Sequence, residues 1–197
     1  PPLTVVERLP LPHSGQSYSA NARFSKGYDW ISLSVSGDAA LGQSEGKSYL
    51  EGKLLGYTSQ WASASGKCSL KPLPWLTMEY NVAWGLHRSR LENRSWLTPI
   101  QSLSHKVISH VNVLEDVAIK LTAEHYYNDA VTEGRHFTLA DLGLAYTWKK
   151  VRLTLDWTNI LGARLYSSGT LSDLVASHNY YDIRPSAIML KARLKLF

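Results

Sequence analysis

The chain has 197 residues, 44% hydrophobic and 19% charged, with seven Trp, eleven Tyr and three Phe. That is too aromatic and too sparsely charged for a disordered chain, and no apolar run approaches the ~18–20 residues of a membrane-spanning helix. The single Cys68 excludes an internal disulfide and a multi-cysteine zinc site, and a net charge of +5 from scattered Lys and Arg argues against nucleic-acid binding.

From the N-terminus, Pro1-Pro2-Leu3-Thr4 lacks a basic-then-apolar leader, so any secretion signal is expected upstream. Residues 1–15 read as a loop or the end of a preceding strand, with Leu3 to Arg8 a possible strand stump. From residue 16 onward, period-two alternation dominates. It predicts nine strands, over 16–24, 28–40, 57–70, 75–88, 102–113, 117–127, 136–148, 151–159 and 184–196. In the second, Ile31, Leu33 and Val35 oppose Trp30, Ser32, Ser34 and Ser36. In the fourth, Leu76, Met78, Tyr80, Val82, Trp84 and Leu86 alternate with Thr77, Glu79, Asn81, Ala83, Gly85 and His87. Val113, Leu114, Val117, Ala118 and Leu121 also fit a helical stripe behind Glu115-Asp116. The β-branched content and the strands on both sides favour a strand there. Further on, Ala140, Leu142, Leu144, Tyr146 and Trp148 share a face, as do Val151, Leu153, Leu155 and Trp157. Ile188, Leu190, Ala192, Leu194 and Leu196 close the series against Lys191, Arg193 and Lys195.

The connections carry a second signal. Tight links at 25–27, 71–74, 114–116 and 149–150 alternate with longer polar ones at 41–56, 89–101, 128–135 and 160–183. The two ends of an antiparallel meander therefore face different surroundings, as in outer-membrane barrels with short turns on one side and long loops on the other. Several strands are longer than the ~5–6 residues usual in globular sheets and match the ~9–11 needed to cross a bilayer. Tyr28, Trp30, Trp75 and Trp148 fall beside the tight turns, and Tyr126 and Trp157 near the long loops, as two aromatic girdles would. On the opposite phase, Glu79, Asn81, His87, Lys106, Lys120, Glu124, Arg152, Asp156, Lys191, Arg193 and Lys195 are expected to point into a wet interior.

Particular segments resemble a known family. Ala22-Arg23-Phe24-Ser25-Lys26-Gly27-Tyr28-Asp29-Trp30 is similar to a strand–turn–strand of the TonB-dependent outer-membrane receptors of Gram-negative bacteria, and Lys71-Pro72-Leu73-Pro74-Trp75-Leu76 to their next periplasmic turn. Glu124-His125-Tyr126-Tyr127-Asn128, then Trp157-Thr158-Asn159-Ile160-Leu161-Gly162, then Arg184-Pro185 and a last strand ending in Phe197, resemble the family's closing hairpin. The similarity spans residues 15–197 and implies an all-β fold, an antiparallel up-and-down transmembrane barrel of which these are the last nine strands of about 22. Phe197 is one residue out of phase with Leu194 and Leu196, and no plug domain or TonB-binding segment lies in the chain.

The resemblance implies a receptor and transporter in the cell outer membrane, taking up a sugar, peptide or chelated metal. Its partners would be outer-membrane lipid, the rest of the barrel with its plug, the TonB complex and the assembly machinery. An enzyme is not expected. No Gly-x-Ser-x-Gly elbow, phosphate loop or dinucleotide fingerprint occurs, and no cofactor is implied. His105 and His110 fall on opposite faces of one strand, while His125, Asp129, Glu133 and His136 flank one loop and could converge on a cation. Asn93-Arg94-Ser95 matches a glycosylation sequon without consequence in a bacterium. The alternatives are a soluble all-β ligand-binding module, with shorter strands and no loop asymmetry, and a passive porin-like channel.

Overall fold

A computed structural model describes residues 15–50, 53–172 and 175–194 of the protein. Among them alternation becomes strand throughout: β1 Gln16–Tyr28, β2 Leu33–Leu50, β3 Lys53–Leu73, β4 Leu76–Leu91, β5 Ile100–Leu114, β6 Val117–Asn128, β7 His136–Trp148, β8 Val151–Thr158, β9 Leu165–Ser172, β10 Val175–Asp182 and β11 Ala187–Leu194. No α-helix forms, and the Val113–Leu121 stripe divides between β5 and β6 around a turn at Glu115-Asp116.

Nine of these strands make one antiparallel sheet in the order β1-β2-β3-β4-β5-β6-β7-β8-β11, every neighbour being the next strand in sequence except the last. β9 and β10 pair only with each other, as a hairpin inserted between β8 and β11. The sheet does not close on itself: β1 and β11 are its two edges.

One end of the sheet has only tight connections. β1 turns into β2 through a single 3-10 turn, Asp29–Ile31, ended by Ser32 at φ 47°. Pro74-Trp75, Glu115-Asp116 and Lys149-Lys150 join the next pairs, with Lys149 at φ 51°. Two β-bulges sit beside these turns, between Leu70 and Leu73 and between Asn112 and Leu114. Pro72 lies inside the first, where a residue without an N–H leaves no ladder bond unmade. The other end carries residues 92–99, 129–135 and the 159–186 excursion with its hairpin.

The expected loop at 41–56 does not exist in that form. β2 and β3 continue their pairing through it, down to Leu50 opposite Lys53. Leu91 at the end of β4 reaches Tyr57, and Gln16 at the start of β1 reaches Glu45, so the β2–β3 hairpin stands beyond both neighbours. The four residues of β3 past that point, 53–56, project about 13 Å at the usual strand rise. Glycine and serine hid this extension from the periodicity, because a projecting hairpin needs no apolar face. Gly42 faces Trp61 across the pair, and a Cβ there would lie 2.6 Å from the indole ring, so the ring occupies the space a side chain would take.

The register divides the residues cleanly by face. Met78, Tyr80, Val82, Trp84 and Leu86 share a side with Val107, Leu121, Leu142, Leu144, Leu153, Leu155, Ile188 and Leu190. None of the described residues covers this apolar side. Among the described residues only Val131 and Phe137 are buried hydrophobics, while Leu121 is 44%, Leu155 39% and Leu190 70% exposed. The accessible surface is 14644 Å², against roughly 9,300 Å² expected for a compact chain of this mass. Among the described residues, no second sheet packs across the apolar side to make a sandwich. Leu3 to Arg8, Lys195, Leu196 and Phe197 lie outside the described residues.

Candidate functional site

The opposite face is charged, and its charges pair across strands. Adjacent positions of an antiparallel ladder place side chains side by side, so a cation on one strand meets an anion on the next. Arg23 of β1 bonds Asp38 of β2. Lys67 Nζ lies 2.8 Å from Glu79, which also accepts from Asn81 at 3.0 Å. Lys106 Nζ lies 2.6 Å from Glu124, and Lys191 Nζ 2.8 Å from Asp156. The ladder Lys67–Asn81–Lys106–Glu124 crosses four strands at one level. A hollow of about 310 Å³ runs along this level from Asp38 of β2 to Tyr126 of β6.

All nine residues expected to face inward share this one face: Glu79, Asn81, Lys106, Lys120, Glu124, Arg152, Asp156, Lys191 and Arg193. His87 joins them, opposite Trp61. Arg152 and Arg193 sit directly opposite each other near the tight turns, a like-charged pair that no carboxylate among the described residues neutralises.

At the loop end the face is roofed. Tyr126 gives its hydroxyl to Glu124 Oε2 at 2.5 Å and packs its ring 6.2 Å from Phe137 and 5.5 Å from Tyr166 of β9. Phe137 and Tyr166 are 5.0 Å apart, and Tyr166 stacks on Tyr181 of β10 at 5.9 Å. Asn128 ties the hairpin down by donating Nδ2 to the Gly169 carbonyl at 2.9 Å, while its Oδ1 accepts from the Ala130 N–H. Val131, 2% exposed, and Ser167, 4% exposed, are buried in this small second layer. The expected loop at 160–183 therefore contains a hairpin that periodicity does not show, because Ser167, Ser168, Gly169 and Thr170 break any apolar alternation.

Asn159 anchors the base of the excursion. It adopts φ 52°, its N–H reaches Asp141 Oδ1 at 2.7 Å, and its Nδ2 donates to the carbonyls of Ala163 and Arg184 at 2.7 and 2.9 Å. Its Oδ1 accepts from Ala163 N–H at 2.9 Å. The Trp157-to-Gly162 motif is thus a loop lock.

The aromatic residues lie as follows. Tyr28 ends β1, Trp30 lies in the 3-10 turn at 82% exposure, Trp75 is in the β3–β4 turn, and Trp148 shares the apolar face beside Lys149. Trp157 lies on the apolar face toward the loops. Tyr126 does not: it is in phase with Glu124, so it points to the charged side, under the hairpin.

Ser59 Oγ lies 2.9 Å from His87 Nε2, but Ser59 is 1% exposed and closed to a substrate. His105 and His110 are on opposite faces, as expected. His125 and His136 do meet, at 3.4 Å, but Asp129 turns away to accept the Gln101 N–H at 2.5 Å. Among the described residues no three His, Cys, Asp or Glu converge to hold a metal ion. The face can hold water, bind a polar solute through paired charges and amides, and stack planar groups on exposed tyrosines. No family model, curated protein or solved structure matches the chain.

Proposed function

We propose that this chain is a wall segment of an outer-membrane β-barrel that carries a polar solute across the membrane, of the kind the TonB-dependent receptors build. One observation carries the reading: across nine strands one face is apolar and uncovered while the other is ion-paired. In water that apolar face would cost about 25 cal/mol for each Å² left exposed; against hydrocarbon it costs nothing. The strand lengths and the turn-to-loop asymmetry support the same reading. So do the two edges, because strands in lipid must pair every N–H and C=O, which calls for further strands between β11 and β1. The charged face would line the interior and the β9–β10 hairpin would overhang it at the outer mouth, narrowing the path. No residue is assigned to a reaction.

Detergent partitioning of the full-length protein tests this. The expected result is recovery in the outer-membrane fraction and loss of monodispersity when detergent is withdrawn. Recovery as a monodisperse species in plain buffer would return the chain to the soluble binding modules. Deleting the gene and measuring growth on single nutrients would then identify the solute.

A further inference from the structure

On β4 the apolar series Met78, Tyr80, Val82, Trp84, Leu86 continues on the same side into Arg88 and Arg90, toward the loop end. Trp96 of the following connection takes both guanidinium groups onto its ring, at 4.5 and 4.7 Å from Arg88 and Arg90. Arg88 also donates Nε and Nη2 to Gln60 Oε1 at 2.9 and 2.7 Å, and Gln60 donates to Gln43 at 2.6 Å. Beside them a hollow of about 600 Å³ is lined by Lys47, Arg90 and Arg94, with Glu45 and Glu92 also on its wall. None of the ion pairs among the described residues uses Lys47, Arg88, Arg90 or Arg94. Four cations against two carboxylates therefore leave a surplus of positive charge where the apolar band stops.

We infer that Lys47, Arg88, Arg90 and Arg94, with Trp96 as their stacking plate, form a docking site for the phosphate-bearing headgroup of a membrane lipid whose acyl chains lie along Trp84 and Leu86. The inference rests on the membrane reading above and adds a partner to the outer surface. Two features select lipid over a free anion. Arg88 and Arg90 share a face and a strand with the apolar run, and Lys47 and Arg94 border the adjoining hollow, so one molecule with a charged head and hydrocarbon tails can satisfy both. Stacked on the indole, the Arg90 guanidinium keeps its in-plane N–H groups for the paired oxygens of a phosphate, and indoles favour the headgroup level.

The test reconstitutes the full-length protein into phosphatidylcholine bilayers with and without bisphosphorylated lipid A, then counts the lipid A retained on the repurified protein by native mass spectrometry. Retention is expected to fall about fivefold in Arg90→Gln and about 25-fold in Arg88→Gln/Arg90→Gln. Arg152→Gln/Arg193→Gln, on the opposite face, is expected to retain as much as the unaltered protein. Equal retention by all variants in protein that has inserted overturns this inference and leaves the membrane reading standing; failure to insert at all overturns both. Displacement of lipid A by inorganic phosphate alone would mark a free-anion site and overturn the lipid assignment. Arg90 makes no hydrogen bond to another side chain among the described residues, so its single variant keeps the test valid should the double variant misfold.

Discussion

Leu153 and Thr154 are neighbours in sequence and opposites in environment: the first pairs with Tyr146 on the apolar face, the second with Ala145 and Lys191 on the charged one. Leu153→Arg is expected to cost about 2–4 kcal/mol at mid-membrane depth, while Thr154→Arg is tolerated. Quantifying heat-modifiable protein in outer membranes checks the pair, and equal damage would contradict the facing. Asn159→Ala removes three side-chain hydrogen bonds and puts a β-carbon residue other than Asn at φ 52°, a loss of about 2–4 kcal/mol, to be read as an earlier unfolding midpoint. Facing was legible at this scale because the side-chain period of a strand is two, and it placed Glu79 through Arg193 on one side. Tyr126 escaped it because an aromatic near a strand end was read by position along the strand rather than by phase. Lys67, Asp38 and Arg23 escaped too, since each becomes informative only when its cross-strand partner is known.

Among the elements, β7 and the tight turns at 74–75, 115–116 and 149–150 were readable because charge, Pro or Gly interrupts a strongly alternating run there. The extended halves of β2 and β3 and the whole β9–β10 hairpin were not. These segments leave the sheet's apolar band, so neither of their faces carries the pattern that identifies a strand. Excising residues 165–182 and joining the flanks tests the independence of the hairpin. It makes no ladder with the nine-stranded sheet, so the sheet is expected to assemble at the usual level. Tyr126 and Phe137 lose their cover, and Tyr and Trp emission is expected to become more accessible to a water-soluble quencher. A collapse in assembled protein would instead make the hairpin part of the folding unit.

At the scale of the molecule, the decisive property is a pair of open sheet edges. β1 is exposed along all but its last residue and β11 along its whole length, and both leave one side of the ladder unpaired. The 197-residue chain expressed alone in detergent is therefore expected to sediment as multimers joined edge to edge, with little 22.1 kDa monomer. No single-residue pattern revealed this, because strand count and closure depend on which segments pair. The β2–β3 projection has a consequence of its own. It lifts the exposed Lys53 past the rim formed by the adjoining strands. If the membrane reading holds, trypsin added to living cells should clip there first, splitting the polypeptide in two while the fragments stay together through their ladders, so a denaturing gel of the shaved cells reports directly which end of the sheet looks outward.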